Sequence, residues 1–379
     1  MKKISLIVPD LSGNNMVRTY PMAKVLERYF RVEVIGPMFG GKVFEPYKNE
    51  FEYKAYDIAA NRRGQSQAAK LMRYFRFVDE SVTGDAVYAF KPKLLSLGAA
   101  LRTARNKKLP LALDIEDWEA EPFYSASFAS KFKYLFSLNR VENPLYDRYL
   151  EKKIKKADRV IVVSEFLKKR FGGEKIVHGA DTRIFDPARL DATELRASLG
   201  LVGKKVVLFA GVARPHKGLQ DLIGAMRETG DSSLKLLLVG EYNKYVEELK
   251  RLAGSLMLHI GSQPHEKMML FLKMADLVAL PQRRTALAEA QVPGKVFEAM
   301  AMAKPIVATV VSDLREILEG CGWLVEPENS ASLASALKEM IADPEKARKM
   351  GERARARCIE RYSWDAMEKS LLSVFASLC

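Results

Sequence analysis

The sequence predicts an α/β protein built from two doubly wound parallel-sheet domains, and three observations carry that expectation. Short, continuous apolar runs alternate with amphipathic segments along the whole chain, without the period-two alternation of a half-solvated sheet. The scheme occurs twice, on either side of Phe185–Gly203, a stretch with Asp-Pro, a short helical segment and Leu-Gly that reads as a hinge. The length, 379 residues, is natural for two domains.

In the first half the apolar runs predict strands at Ile4–Pro9, Val32–Gly36, Ala86–Phe90, Leu111–Ile115, Val160–Ser164 and Lys175–Val177. Helical pattern fills the gaps, as at Tyr20–Tyr29 and Leu94–Asn106. In the second half they predict strands at Val206–Ala210, Leu234–Val239, Leu258–Ile260, Leu277–Pro281, Pro305–Val310 and Trp323–Val325. A strongly basic helix around Ala347–Arg361 precedes an amphipathic one at Ser363–Leu378. The expected organisation is a first domain over 1–186, rejoined by a C-terminal helix at 364–379, and a second over 187–363. In such folds ligands bind in the cleft beyond the carboxyl ends of the strands, so the loops after the strands carry the functional reading.

Composition sets bounds. Apolar residues make up 48% of the chain and charged ones 28%, enough for packed cores, and no run of eighteen apolar residues predicts a membrane-spanning helix. The N-terminus MKKISLIVPD is basic then apolar, but its apolar run is short and lacks a small-residue cleavage site, so it reads as a first strand. Cys321, Cys358 and Cys379 form neither a metal spacing nor a disulfide framework, which fits a reducing cytoplasm. Of the net charge of +14, residues 1–185 carry +12, from 34 Lys and Arg against 22 Asp and Glu. Nucleic acid, an anionic membrane surface, a phosphorylated substrate or plain solubility would each account for it.

After the first strand comes a Pro9–Met16 loop with Gly13 and Asn14, where backbone could approach a ligand ahead of a helix start. It is not GxGxxG, and a plain strand–helix turn explains it equally. After Leu111–Ile115, five acids (Asp114, Glu116, Asp117, Glu119, Glu121) crowd one strand end. They form either a solvated loop or a polar site for sugar hydroxyls or a proton, with Asp117 the best candidate. The chain holds no DxD pair, so nothing points to a metal-held diphosphate. Lys131–Lys133 and Glu151–Lys156 lie among Phe132, Tyr134, Phe136, Tyr146 and Tyr149. Such interleaving suits nucleic acid or anionic lipid, and lysines snorkelling over a packed helix look the same. No RNP, zinc-finger or KH pattern supports nucleic acid.

In the second half, Gly211-Val-Ala-Arg214-Pro-His-Lys217-Gly218 precedes a helix at Leu219–Met226. An arginine fork, a lysine point charge and a helix start make a diphosphate site that needs no metal; an exposed basic turn is the other reading. Gly240-Glu-Tyr and Gly261-Ser262-Gln263-Pro264 end the next strands, the latter with backbone groups that could read a base edge, and Pro281–Arg284 ends another. In Gln291–Pro305, Lys295 and Glu298 share one helical face. Glu298 would hold a hydroxyl pair and Lys295 an anion, or the two form a surface salt bridge.

In order, the chain reads VHGADTRIF (177–185), GVARPHKGLQDLIGAM (211–226), LLLVG (236–240), HIGSQP (259–264), ADLVALP (275–281), KVFEAMAMAKPIVAT (295–309) and GWLVEPEN (322–329). This series resembles the retaining glycosyltransferases of family 4, which have the GT-B fold. The first half matches loosely, through SGNN, DIEDW and VIVVSEFLKKRF. The resemblance implies a nucleotide-sugar donor, UDP-linked (UDP-glucose, for example) ahead of GDP-linked, with no metal or other cofactor. It assigns the diphosphate to Lys217, the ribose hydroxyls to Glu298 and the base to the backbone of Ser262–Pro264. The acceptor would lie against the first domain, where the family's His-Asp pair falls on Glu116-Asp117.

Three positions depart from the family pattern. The first glutamate of its E-x7-E motif falls on Ala290, with Glu289 one residue out of register. Val212 stands where the family has an arginine, with Arg214 the substitute the resemblance implies, and Glu116 replaces the histidine. Pro-x-Lys-x-x-Glu at 293–298 is similar to a subset lacking the first glutamate, in which Lys295 partly replaces it. The function implied is retaining hexosyl transfer to a glycan or lipid-linked acceptor in polysaccharide assembly, at the inner membrane face, with Arg214 and Lys217 neutralising the departing diphosphate. Left open are a nucleotide-sugar epimerase of the same fold, a transferase that binds but does not turn over, and a basic nucleic-acid or membrane-binding module.

Overall fold

A computed structural model describes residues 1–58, 66–137 and 141–378; Cys379 lies outside them. The chain forms two compact units, one of Met1–His178 with the chain from Met367 onward, the other of Gly179–Ala366.

Unit 1 holds β1 (Lys3–Ile7), β2 (Arg31–Met38), β3 (Tyr53–Asp57), β4 (Ala86–Phe90), β5 (Leu111–Ile115), β6 (Arg159–Val162) and β7 (Glu174–Lys175), in the order β3-β2-β1-β4-β5-β6-β7. Every pairing is parallel, with Ile4 of β1 opposite Val32 on one side and Ala86 on the other. All residues of β4 and β5 are buried, which is why β4 reads as an unbroken apolar run and β5 as one broken only by Asp114. Strand β3 is absent from the strands the sequence predicts. It is an edge strand whose five residues, YKAYD, are each only half-buried, so selection for a continuous apolar run is missing. Helix Met16–Leu26 starts four residues earlier than expected, and Leu94–Asn106 resolves into a π turn over Leu94–Gly98 followed by helix Ala99–Lys107.

Unit 2 holds β8 (Lys205–Ala210), β9 (Leu234–Val239), β10 (Met257–Ile260), β11 (Leu277–Leu280), β12 (Ile306–Thr309) and β13 (Trp323–Val325), ordered β10-β9-β8-β11-β12-β13 and again all parallel. Its core joins Val207, Leu236, Leu238 and Ala279 of the sheet to Leu222 and Ile223 of helix Leu219–Glu228 and to Leu333 and Leu337 of helix Ser330–Ala342.

The unit boundaries differ from those the sequence suggests. The division falls after His178, not after 186, because the Ala180 N–H donates to the Tyr362 carbonyl (2.9 Å) and the Trp364 N–H to that of Ala180 (3.0 Å). Arg355 adds a bond to the Phe185 carbonyl (2.8 Å) and an ion pair with Asp186 (3.1 Å). Helix Trp364–Ala376 belongs to unit 1 from Met367. There Phe375 is fully buried against Tyr88 (ring centroids 5.0 Å apart), and Glu368 takes hydrogen bonds from Arg28 (2.5 Å) and the Tyr29 hydroxyl (2.7 Å).

Candidate functional site

In each sheet the strand order reverses at one place, between β1 and β4 in unit 1 and between β8 and β11 in unit 2. The loops leaving those strand ends diverge and leave a crevice, so a ligand site is expected there. In unit 2 the two loops are Gly211–Lys217 and Pro281–Arg284; in unit 1 they are Val8–Asn15 and Lys91–Lys93.

The unit 2 loops interlock. Gly211 has φ +132° and Gly218, which starts helix Leu219–Glu228, has φ +69°. A Cβ on Gly218 would stand 1.8 Å from the Pro281 carbonyl oxygen, so only glycine lets the Lys217-Gly218 turn lie on the end of β11. A Cβ on Gly240 would meet the Gly211 oxygen at 2.1 Å, so the ends of β8 and β9 are equally close. Arg283 completes the seam: its N–H donates to the His216 carbonyl (2.8 Å), and its guanidinium makes two bonds to Asp221 at 2.7 and 2.6 Å. Pro215–Lys217 is thereby a fixed turn of 3₁₀ helix with Arg214 exposed at its start and Lys217 half-exposed at its end, beside the helix N–H groups that lack intrahelical acceptors.

Ser262 and Pro264 are exposed after β10, and Gln263 is half-buried, its Nε2 donating to the Gly261 and Ser262 carbonyls (3.3 and 3.2 Å). Helix Lys295–Ala301 connects β11 to β12, so its start lies toward the same carboxyl edge. Glu298 and Lys295 form an ion pair at 3.2 Å, with side chains 13% and 33% exposed, while Val296, Phe297, Ala299 and Met300 pack inward. The structure thus contains the salt bridge that the spacing allowed, at an edge where both charges remain accessible. Ala290 is fully buried. Glu289 is engaged, accepting from Arg284 Nε (3.2 Å) and the Ser312 N–H (2.9 Å).

His216 lies in the middle of this turn. Burial, then the charges of Lys217 and Arg214, push its imidazole down to about 4. An unfolded histidine takes a proton near pH ~6.5, so this group withdraws stability as pH falls from there toward 4. A bound diphosphate offsets the two cations, so UDP is expected to raise the His216 midpoint in an NMR titration assigned with His216→Gln. A midpoint unmoved by saturating UDP would argue that no phosphate lies beside Lys217.

In unit 1 the acids after β5 are not a solvated loop. Lys91, at the end of β4, reaches Glu116 (3.2 Å), Glu119 (3.1 Å) and Asp117, and Lys93 reaches Glu119 (2.8 Å) and Asp147 (3.3 Å). Lys91 adopts φ +65°, a costly conformation for a residue with a side chain, held by its N–H to the Asp114 carbonyl (2.8 Å) and its carbonyl to Ser96 Oγ (2.6 Å). Burial alone would lower Lys91, but Asp117, Glu116 and Glu119 hold its ammonium well above the usual lysine range. Burial raises Glu116 to about 7 and Asp147 to about 6, against the lysines beside them. Beneath lies a buried triad: Arg18 donates to Asp114 from Nε and Nη2 (3.0 Å each) and to the Ile176 carbonyl (2.7 Å), and Tyr88 donates its hydroxyl to Asp114 (2.6 Å). Asp114 is therefore a structural anchor, and Glu116 and Asp117 stand over it. Gly13 and Asn14 sit on the β1 side of this crevice, Asn14 exposed. Sequence reasoning missed Lys91, Lys93, Asp147 and Arg18. The one legible signal was Lys-Pro-Lys directly after the buried run AVYAF, two cations at a strand's carboxyl end.

Among the described residues, no group of three or more His, Cys, Asp or Glu is arranged to hold a metal ion, and no helix is long and apolar enough to cross a membrane.

Two parallel doubly wound units in one chain are the architecture of the GT-B fold. Residues 191–357, which lie within unit 2, match the family model described as "Glycosyl transferases group 1". The chain is similar to the lipopolysaccharide 1,2-N-acetylglucosaminetransferase of Salmonella typhimurium, 29% identical over 230 residues, covering 55% of this chain and 59% of the relative. It is also similar to the GDP-mannose-dependent alpha-(1-6)-phosphatidylinositol monomannoside mannosyltransferase of Mycolicibacterium smegmatis, 29% identical over 229 residues with the same coverage. The chain spans about three-fifths of the length of these curated relatives. In structure it is similar to HepE of Anabaena in complex with UDP and glucose, with TM-score 0.77, 20% identity and full coverage of both chains. WaaG, a glycosyltransferase involved in lipopolysaccharide biosynthesis, superposes with TM-score 0.70 at 14% identity, over 97% of this chain and 98% of that one.

Proposed function

We propose that this protein is a retaining, metal-independent glycosyltransferase that moves a hexosyl group from a nucleotide sugar, UDP-linked ahead of GDP-linked, to a glycan or lipid-linked acceptor in polysaccharide biosynthesis. The observation that carries the reading is the Gly211–Lys217 turn, clamped by Gly218 on Pro281 and by Arg283 on His216 and Asp221. Such a turn presents Lys217, Arg214 and a helix start to a diphosphate without rearranging, so charge developing on the leaving group meets preorganised cations. Glu298 takes the two ribose hydroxyls, Lys295 lies beside it in place of the acid missing at Ala290, and the Ser262–Pro264 backbone meets the base. The relatives' printed names fit: they transfer N-acetylglucosamine to lipopolysaccharide and mannose from GDP-mannose to a phosphatidylinositol mannoside.

Acceptor binding falls to unit 1, where Asp117 and Glu116 lie over the lysine pair. Glu116 titrates near 7, which suits a group that takes a proton from a hydroxyl near neutrality. The work would be done at the cytoplasmic face of a membrane that presents a lipid-linked acceptor.

Calorimetry with UDP, GDP and ADP tests the donor site. UDP is expected to bind in the presence of a chelator, and Glu298→Ala to weaken it by about ten- to a hundred-fold, the loss of hydrogen bonds to a charged acceptor. Unchanged affinity in Glu298→Ala would remove the ribose assignment, and chelator-sensitive binding the metal-free one. Incubation with UDP-sugar alone separates transferase from epimerase: slow release of free UDP is expected, and accumulation of an epimeric nucleotide sugar would overturn the reading.

A further inference from the structure

Helix Phe128–Leu135 of unit 1 presents its apolar side to solvent and its polar side to the protein. At about 100° per residue, Phe128, Phe132, Leu135 and Phe136 (just past the helix end) share one face. They are 88%, 55%, 52% and 77% exposed. The opposite side, with Ser130, Tyr134 and Ser137, is the half-buried one. It is tied down by Asn143, whose side-chain amide donates to the Tyr134 carbonyl (2.9 Å) and Ser137 Oγ (3.2 Å). In water alone the reverse orientation is favoured, because it would withdraw three phenyl rings from solvent. An aromatic patch held outward by hydrogen bonds marks a surface made to be covered.

The charge around it says by what. Lys131 and Lys133 stand at the two margins of the aromatic face. Lys131 and Arg148, from the neighbouring helix Pro144–Glu151, both lie on the Phe123 ring, at 5.3 and 4.6 Å from its centroid. That helix adds Tyr149, 57% exposed with Lys153 at 5.0 Å from its ring, and the exposed Lys152, Lys155 and Lys156 follow. No Asp or Glu occurs between Glu121 and Glu142. An aromatic centre with cations at its rim and no acid on its own helix matches a bilayer interface containing anionic lipid, where rings enter at headgroup depth and lysines stay among phosphates. A second copy of the chain is disfavoured, since two such patches would bring like charges together.

We propose that this face, built on Phe128, Phe132, Leu135, Phe136, Lys131 and Lys133, docks unit 1 on an anionic lipid bilayer. It gives the membrane contact named above a surface, and it requires nothing of the transfer reaction. The 144–151 helix also carries Asp147, which pairs with Lys93 of the carboxylate cluster. The docking face and the proposed acceptor site therefore share one helix, and a lipid-borne acceptor would be delivered beside Asp117.

Co-sedimentation of the full chain with vesicles tests this. Wild type is expected to bind phosphatidylcholine vesicles containing about 30% phosphatidylglycerol, not pure phosphatidylcholine, and to release as NaCl rises from about 0.1 to 0.5 M. The triple variant Phe128→Ser, Phe132→Ser, Phe136→Ser should lose at least about ten-fold in partitioning, with its melting temperature unchanged because the rings are exposed. Lys131→Glu with Lys133→Glu should abolish the preference for anionic vesicles. Equal partitioning of the triple variant and wild type, or no vesicle binding by wild type, would overturn the proposal. So would a wild-type dimer in sedimentation velocity that the triple variant converts to monomer, which would assign the face to a second copy. Vesicle binding by a chain that binds no nucleotide would sustain the surface while removing the transferase reading.

Discussion

Lys217→Ala is expected to lower UDP release from UDP-glucose by about 10²–10³-fold, the loss typical when one preorganised group stabilising developing charge is removed. The size follows from how the residue is held. Gly218 pins the turn against Pro281, and Arg283 locks it to Asp221, so no neighbouring cation can move into the vacated place. Arg214 is exposed at the start of the turn, where water screens it, so Arg214→Ala should cost less. Single-turnover UDP release needs no assigned acceptor and therefore isolates this effect. Lys217 is half-exposed, and its replacement should leave the denaturation midpoint where it was. Turnover within a few-fold of wild type in Lys217→Ala would mean that the diphosphate is neutralised elsewhere.

Arg18→Met is expected to destabilise unit 1 by about 3–5 kcal/mol, the cost of leaving one buried charge without its partner. Arg18 and Asp114 are both fully buried, and after the substitution Asp114 would keep only the Tyr88 hydroxyl. The double variant Arg18→Met, Asp114→Leu should recover part of the loss, because no charge is then left buried, although the Tyr88 hydroxyl and the Ile176 carbonyl lose their partners. Trp118 is the one tryptophan of unit 1, Trp323 and Trp364 falling in unit 2, so fluorescence with the latter two changed to phenylalanine follows unit 1 alone. A double variant no more stable than Arg18→Met would show that the triad is needed for more than its charge balance.

How much of this was legible in the sequence depends on how local each feature is. Strands β4, β5, β9 and β13 match their expected spans residue for residue, since their largely buried residues are mostly apolar and stand out between polar loops. Strand β3 left no such trace, because half-buried edge residues are free to be polar. The Gly211–Gly218 turn was readable because its glycines, proline and cations are contiguous, although the reason Gly218 is required, the Pro281 carbonyl on it, comes from a segment distant in the sequence.

By itself, then, the sequence determined two doubly wound sheets, the placing of glycine-containing, cationic loops at strand ends, and the absence of an acid at Ala290. Tertiary structure alone decided three matters. It turned the acids after β5 from a solvated loop into a lysine-centred cluster, because Lys91 and Lys93 arrive from the neighbouring strand. It moved the domain boundary to His178, through hydrogen bonds to Tyr362 and Trp364 far along the chain. And it settled which way the aromatic face of Phe128–Leu135 points. Helical periodicity shows that a face exists; only the packing of the other side shows whether it meets the core or the solvent.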